Sequence, residues 1–218
     1  MKIILFTNLK GGVGKTTLCS LFASYMAEQD NPVAVLDADI QQSLFRHRQR
    51  ELLANPNAPV SWLLQPLRMQ DASQTSAAME KLRQMPCDII IDCPGNIQDP
   101  ILGHIFAAAD VAVIPFRYDS DSLDATHLFS KVFSTRSNAD MFFVPNCIAV
   151  REELREEVGN QRDKAVELLR DFGDVTPRIR QSVVVRQYST VGHLTSYQRN
   201  AVKYAFEPIV QSIRNDRS

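Results

Sequence analysis

The chain has 218 residues, enough for one large domain or at most two small ones, and its 44% hydrophobic content suits a globular protein with a sizeable core. No apolar run approaches the ~18–20 residues of a membrane span, and the opening MKIILFTN is too short for a signal peptide, so a cytosolic protein is expected. The net charge of −1 hides an asymmetry: from Thr176 onward seven Lys/Arg stand against two acids, a balance of +5, which leaves −6 for residues 1–175.

In chain order, KIILFT reads as a buried strand and TTLCSLFASYMAEQ as the helix after a glycine loop. PVAVLD is a second buried strand, followed by a helix through LFRHRQRELLAN. PVSWLLQP suggests a short strand with Trp62 in the core, and residues 73–85 a helix. CDIIID is a strand, PILGHIFAAA a helix, DVAVIPF a strand, SLDATHLFSKVFST a helix and MFFVPNCIAV a strand. Residues 152–171 read as a charged amphipathic helix, 175–186 as a last strand and 196–214 as the closing helix.

Strands that are apolar throughout imply a sheet covered on both faces. Their alternation with helices predicts a mostly parallel, doubly wound α/β sandwich, a single domain over 1–218. The four cysteines show no C-x-x-C spacing and the four histidines no metal spacing, so reduced thiols and no His/Cys metal site are expected.

The chemistry concentrates in KGGVGKTT, between a strand and a helix. Gly11, Gly12 and Gly14 free backbone N–H groups to turn around phosphate oxygens, and the following helix adds its positive end. Lys15 can reach the outer phosphates, and the Thr16 hydroxyl can ligate Mg²⁺. A second lysine, Lys10, precedes the glycines. VAVLDADIQQS ends a strand with Asp37 and Asp39, and CDIIIDCPG ends one with Asp92, where a carboxylate can hold Mg²⁺ or its waters.

With Leu9 at the usual first glycine position, the loop resembles the deviant Walker motif K-G-G-x-G-K-[ST]-[ST] of the ParA/MinD branch of P-loop ATPases. That resemblance implies ATP and Mg²⁺ as ligands, with Lys10, Gly11, Gly12, Val13, Gly14, Lys15, Thr16 and Thr17 around the nucleotide. It implies that Lys10 crosses to the phosphates of a second subunit in an ATP-sandwich homodimer. DADIQQS resembles the family's switch segment, in which Asp39 orients or activates the attacking water and Asp37 supports the loop. Ile40 departs from the usual proline there, and Gln42 from the common glycine. The metal set would be Thr16, Asp39 and Asp92, with Pro94 and Gly95 as the turn of the second switch. Asn146, at a strand end, matches the position that bonds the adenine edge in related ATPases, although a turn residue after Pro145 is the other reading. DVAVIPFRYDSDSLDAT resembles the family's next strand and the start of its dimer-facing helix, including Pro115 and Asp124.

Relatives differ in what they move along. One domain without C-x-x-C argues against arsenite pumps, iron–sulfur carriers and nitrogenase iron proteins. The polar end of YAFEPIVQSIRNDRS argues against a membrane-binding tail. The basic closing segment instead fits phosphate contacts through Arg178, Arg180, Arg186, Arg199, Lys203 and Arg214. With the first strand at Lys2, no operator-binding extension is expected. The expectation is a small ParA-type partition ATPase, nucleoid-associated, that binds DNA non-specifically and is stimulated by a centromere- or cargo-binding adaptor. The alternatives are a MinD-like positioning ATPase at a membrane or protein cargo, and a P-loop biosynthetic ligase or kinase.

Overall fold

The computed structural model describes residues 1–68, 71–95, 99–149 and 156–215, with side chains except at 156–159. Seven parallel strands form one sheet in the order β3-β2-β4-β1-β5-β6-β7. They are β1 (Ile3–Phe6), β2 (Val33–Asp37), β3 (Leu63–Pro66), β4 (Asp88–Asp92), β5 (Val111–Phe116), β6 (Asp140–Pro145) and β7 (Gly173–Val175). The helices are α1 (Lys15–Ala27), α2 (Ser43–Ala54), α3 (Ala72–Leu82), α4 (Pro100–Ala107), α5 (Ser120–Ser134), α6 (Glu156–Leu169), α7 (Val183–Arg186) and α8 (Ser196–Asn215).

Every residue of β1, β4 and β5 is buried, because helices cover both faces. Ile4, Phe6, Val35, Ile90 and Val113 point toward α1 and α8, where Phe22 meets Phe6 at 5.5 Å and Phe206 at 5.0 Å between ring centroids. Ile3, Leu5, Ile89, Ile91 and Ile114 point the other way, onto Phe106 of α4 and Phe129 and Phe133 of α5. Trp62 is buried, donates its ring N–H to Ser24 Oγ at 3.0 Å and carries the Arg48 guanidinium over its face at 4.2 Å.

The fold is the doubly wound parallel sandwich that the strand–helix alternation predicts. The stretch 175–186 is different from its expectation. Pairing in β7 ends at Val175, and Val183–Arg186 is a helical turn. Its β-branched VVV run favours a strand, but after an isolated parallel bridge between Ile148 and Arg180 the Ser182 hydroxyl caps the turn by accepting Val184 N at 3.3 Å. The helix expected over 152–171 is seen from Glu156; residues 152–155, like Asp216 and Arg217 of the basic segment, lie outside the described residues.

Chain order reverses around β1: from it the chain runs toward β2 and β3, and from β4 it crosses to β5. In open α/β sheets the crevice at the carboxyl ends of the strands at such a reversal is where ligands sit.

Candidate nucleotide site

The loop after β1 fills that crevice. Gly12 and Gly14 take φ of 74° and 96°, the left-handed region that glycine enters without strain. Gly14 caps α1 with no side-chain bond, and the first turn of α1 holds no acid, so its leading N–H groups face the loop. A Cβ on Gly14 would run into Asn146 Nδ2. Lys15 Nζ donates to the Lys10 carbonyl at 3.1 Å, closing the loop on itself. Burial lowers the Lys15 amine below its ordinary pKa, and Asp92, Cys93 and Asp39 pull it back up.

Asp92 ends β4 opposite Phe6 of β1 on one side and Asp37 of β2 on the other. It is 2% exposed, and its Oδ1 has no hydrogen-bond partner among the described residues. Burial pushes its carboxyl up to about 7, with Asp37 adding to the rise while a hydrogen bond from Thr16 and the Lys15 charge oppose it. The turn after β4 leans on the same lysine: a Cβ on Gly95 would stand 3.4 Å from Lys15 Nζ. A carboxylate oxygen buried without a donor, beside a threonine hydroxyl, fits a hard cation. The residues present therefore fit Mg²⁺, which Asp92 and Thr16 would hold. No cluster of three His, Cys, Asp or Glu suited to a metal occurs among the described residues.

Asp37 is fully buried and accepts Asp39 N at 3.2 Å and Phe45 N at 3.0 Å, which pins both ends of the loop between β2 and α2. Burial raises its pKa, opposed by those same N–H groups. Asp39 is half-buried, with Oδ1 accepting Gln41 N at 2.8 Å. Gln42 has φ of 49°, which explains why glycine is common at this position, and Ile40 stands 90% exposed.

Asn146 is buried at the end of β6, and its Nδ2 donates to the Val13 carbonyl at 2.8 Å. Its Oδ1 is buried without a partner among the described residues, an acceptor waiting for a donor. Beyond it, Ile179 N bonds Pro145 O at 2.7 Å and Gln181 N bonds Ile148 O at 2.8 Å, so the segment after β7 runs alongside the strand end. That segment walls a cavity of about 920 Å³ lined by Arg162, Pro177, Arg178, Arg180, Tyr197 and Tyr204 among others.

The basic residues of the closing segment expected to contact phosphates fall into separate places. Arg178 and Arg180 line the cavity, and Arg186 ends α7, close enough to act on the Cys147 thiol. Arg199, Lys203 and Arg214 share a different side of α8, around the end of α1: Arg199 pairs with Glu28 at 2.8 Å, and Arg214 donates to Gln29 Oε1 at 2.8 Å. Lys203 Nζ lies 4.5 Å over the Tyr204 ring.

Residue pattern alone passes over Asn8. Its Nδ2 bonds Pro115 O at 2.8 Å and Thr126 Oγ1 at 2.9 Å, tying the loop to β5 and α5, and its Oδ1 accepts Lys10 N at 3.4 Å. Lys10 Nζ lies 3.7 Å from Asp121 Oδ2.

Residues 4–173 match the CobQ/CobB/MinD/ParA nucleotide binding domain. Comparison with curated protein sequences gave no match. Among solved structures, the MinC:MinD cell division complex of Aquifex aeolicus is similar, at 17% identity and TM-score 0.74, covering 98% of this chain and 96% of that one. So are the ATP complex of Cyanothece McdA (18%, 0.74, 98% and 96%) and an AMPPNP-bound plasmid partition protein of Borrelia burgdorferi (16%, 0.71, 97% and 98%). At these identities the likeness is one of fold.

Proposed function

The chain belongs to the CobQ/CobB/MinD/ParA nucleotide-binding family, and from that premise we propose that it is a Mg²⁺-dependent ATPase of the ParA type that carries out DNA partition. The observation that carries this reading is the unpartnered, buried Asp92 Oδ1 beside Thr16, at the foot of a glycine loop with one lysine on each flank. Bound Mg²⁺ would supply charge neutralisation across the phosphates.

The protein's own groups supply the rest. The loop N–H groups and Lys15 hold the phosphates, and Asn146 Oδ1 accepts from the exocyclic amine of adenine. Asp39 orients the water that attacks the γ-phosphorus as its bond to the β,γ-bridging oxygen breaks, giving ADP and phosphate. Lys10 of one subunit reaches the phosphates of the other, where a cation gains strength as charge builds on the leaving oxygens. ATP would thereby join two subunits, the dimer would bind DNA non-specifically, and a centromere- or cargo-binding adaptor would trigger hydrolysis in a nucleoid-associated cycle.

That some of the solved neighbours, beside MinD and McdA, are described as plasmid partition proteins supports this, as does the grouping of Arg199, Lys203 and Arg214 on one side of α8. No helix among the described residues is long and apolar enough to cross a membrane. The test is retention of purified protein on arbitrary DNA with ATP, with ADP and with no nucleotide, across a salt series. Binding only with ATP, weakening steeply with salt, is expected. Absence of DNA binding in every state would move the assignment to a membrane or protein cargo and leave the ATPase reading standing.

A further inference from the structure

The lysine proposed to bridge two subunits is held by an acid of its own chain. Lys10 Nζ lies 3.7 Å from Asp121 Oδ2 in the first turn of α5, 111 residues on in sequence. We propose that Asp121 is the resting counter-ion of Lys10, which keeps its amine turned onto its own subunit and so sets the ATP concentration at which two copies of this chain close. The inference rests on the ATP-dimer reading above and adds its regulation.

Three observations carry it. The frame around the pair is built of buried groups. Asn8 holds Lys10 N through Oδ1, and its Nδ2 reaches Pro115 O and Thr126 Oγ1 at 2.8 and 2.9 Å, so β1, β5 and α5 share one amide. Thr126 in turn donates to Ser122 O at 2.7 Å, inside the first turns of α5. Only the lysine side chain has to swing for the ion pair to break.

The neighbouring acid is committed elsewhere. Asp119 caps α5 by accepting Ser122 N at 3.0 Å and faces Arg117 Nε at 3.4 Å. Asp121 takes no part in that cap. Its side chain is 85% exposed and that of Lys10 38%, so the pair sits at the surface and can be exchanged for a better anion.

The chemistry then runs by competition. A polyphosphate offered by a second copy carries more charge than one carboxylate and displaces it from Lys10. Asp121, left without its cation at a face where another subunit's phosphates arrive, opposes closure by like charge. A symmetric dimer breaks the ion pair twice, so a factor of about three per subunit, within the range of an exposed ion pair, becomes about tenfold in the dimerisation constant.

A merely structural role has its own signature: an acid in the first turn complements the dipole of α5, and its loss would lower Tm without changing dimerisation. Light scattering of the full chain over a range of AMPPNP concentrations separates the two, using wild type, Asp121→Asn, Asp121→Glu, Lys10→Ala and the Lys10→Ala/Asp121→Asn double variant. Asp121→Asn should dimerise at about threefold lower nucleotide, since the dimer binds two nucleotides and its tenfold gain in dimerisation constant enters as a square root, the gap closing as salt rises. Asp121→Glu should stay near wild type, and the double variant should match Lys10→Ala. An Asp121→Asn variant that dimerises as wild type does, or less readily, while Lys10→Ala fails to dimerise, overturns the inference and spares the dimer reading. Normal dimerisation by Lys10→Ala removes that reading and the inference with it.

Discussion

Asn146 Nδ2 and the Val13 carbonyl meet at 2.8 Å, so the end of β6 is tied to the crown of the phosphate loop. The bond uses the donor side of the amide and leaves Oδ1 as a buried acceptor. A base that brings an N–H to that point satisfies it; one that brings a carbonyl leaves two acceptors facing each other.

Adenine has an exocyclic amine where guanine has a carbonyl, so Asn146 should favour ATP over GTP. Leaving a buried acceptor unpaired costs about 1–3 kcal/mol, or roughly 5- to 150-fold in affinity. Asn146→Ala should weaken ATP binding and bring the ATP/GTP ratio close to one, as read by calorimetric titration of both nucleotides. A ratio unchanged in the variant would return Asn146 to a loop brace alone.

Asp92 links the site to stability. Its pKa is raised by burial, so the unfolded chain ionises first, near the ordinary value of 3.8, and the folded protein only near 7. Between those values the unfolded state gives up its proton while the folded state keeps it, and stability therefore falls as pH rises from about 4 to about 7. Asp92→Asn removes this penalty. The metal-free variant should be more stable than wild type at pH 8, by an amount on the order of 2–4 kcal/mol, and nearly equal to it at pH 4. It should also lose Mg²⁺-dependent nucleotide binding. Thermal unfolding of both proteins at pH 4, 6 and 8 checks this, and equal Tm at pH 8 would contradict it.

The loop and Asp92 are legible from sequence because each is a local pattern: glycines at fixed offsets before Lys15, and an acid closing a wholly apolar strand. Gly12 and Gly14 do take the left-handed angles that such a loop requires. What joins distant segments is not written locally. That Asp37 and Asp92 face each other follows from the β2–β4 register, and Lys10 meets Asp121 only once β5, which leads into α5, is paired with β1. Val183–Arg186 shows the opposite failure. A run of three valines has strand propensity, yet backbone pairing stops at Gln181 and the cap at Ser182 turns the chain into a helix.

The basic residues make two separable predictions. If α8 binds the DNA, Arg199→Gln, Lys203→Gln and Arg214→Gln should each reduce the slope of log K against log salt, by up to about 0.9 for each phosphate no longer neutralised. Arg178→Gln and Arg180→Gln, at the cavity beside the β6 end, should leave that slope alone and change nucleotide affinity instead. The reverse pattern in DNA retention and nucleotide titration would move the DNA interface to the cavity.

Glu51 fastens the end of α2 to the segment that leads into α8, 139 residues away in sequence. Its Oε1 accepts Ser189 Oγ at 2.6 Å, and its Oε2 accepts Thr190 N at 2.8 Å and the Thr190 hydroxyl. Burial pushes its pKa up, but those donors and His47 outweigh burial and hold it below the ordinary value. A depressed carboxyl contributes stability that is present above the unfolded pKa, 4.5, and is lost as pH falls through the folded value. Glu51→Gln should therefore lower Tm at pH 7, by the equivalent of about 1–3 kcal/mol, and by much less near pH 3.5. A difference that stays constant from pH 7 to pH 3.5 would mean that the shape of the side chain, and not its charge, holds the segment. Because α2 starts at the loop pinned by Asp37, the same variant should also raise amide exchange in both 189–195 and 39–45 if the clamp keeps the switch loop in place. Exchange raised only in 189–195 would show that the two ends of α2 act independently.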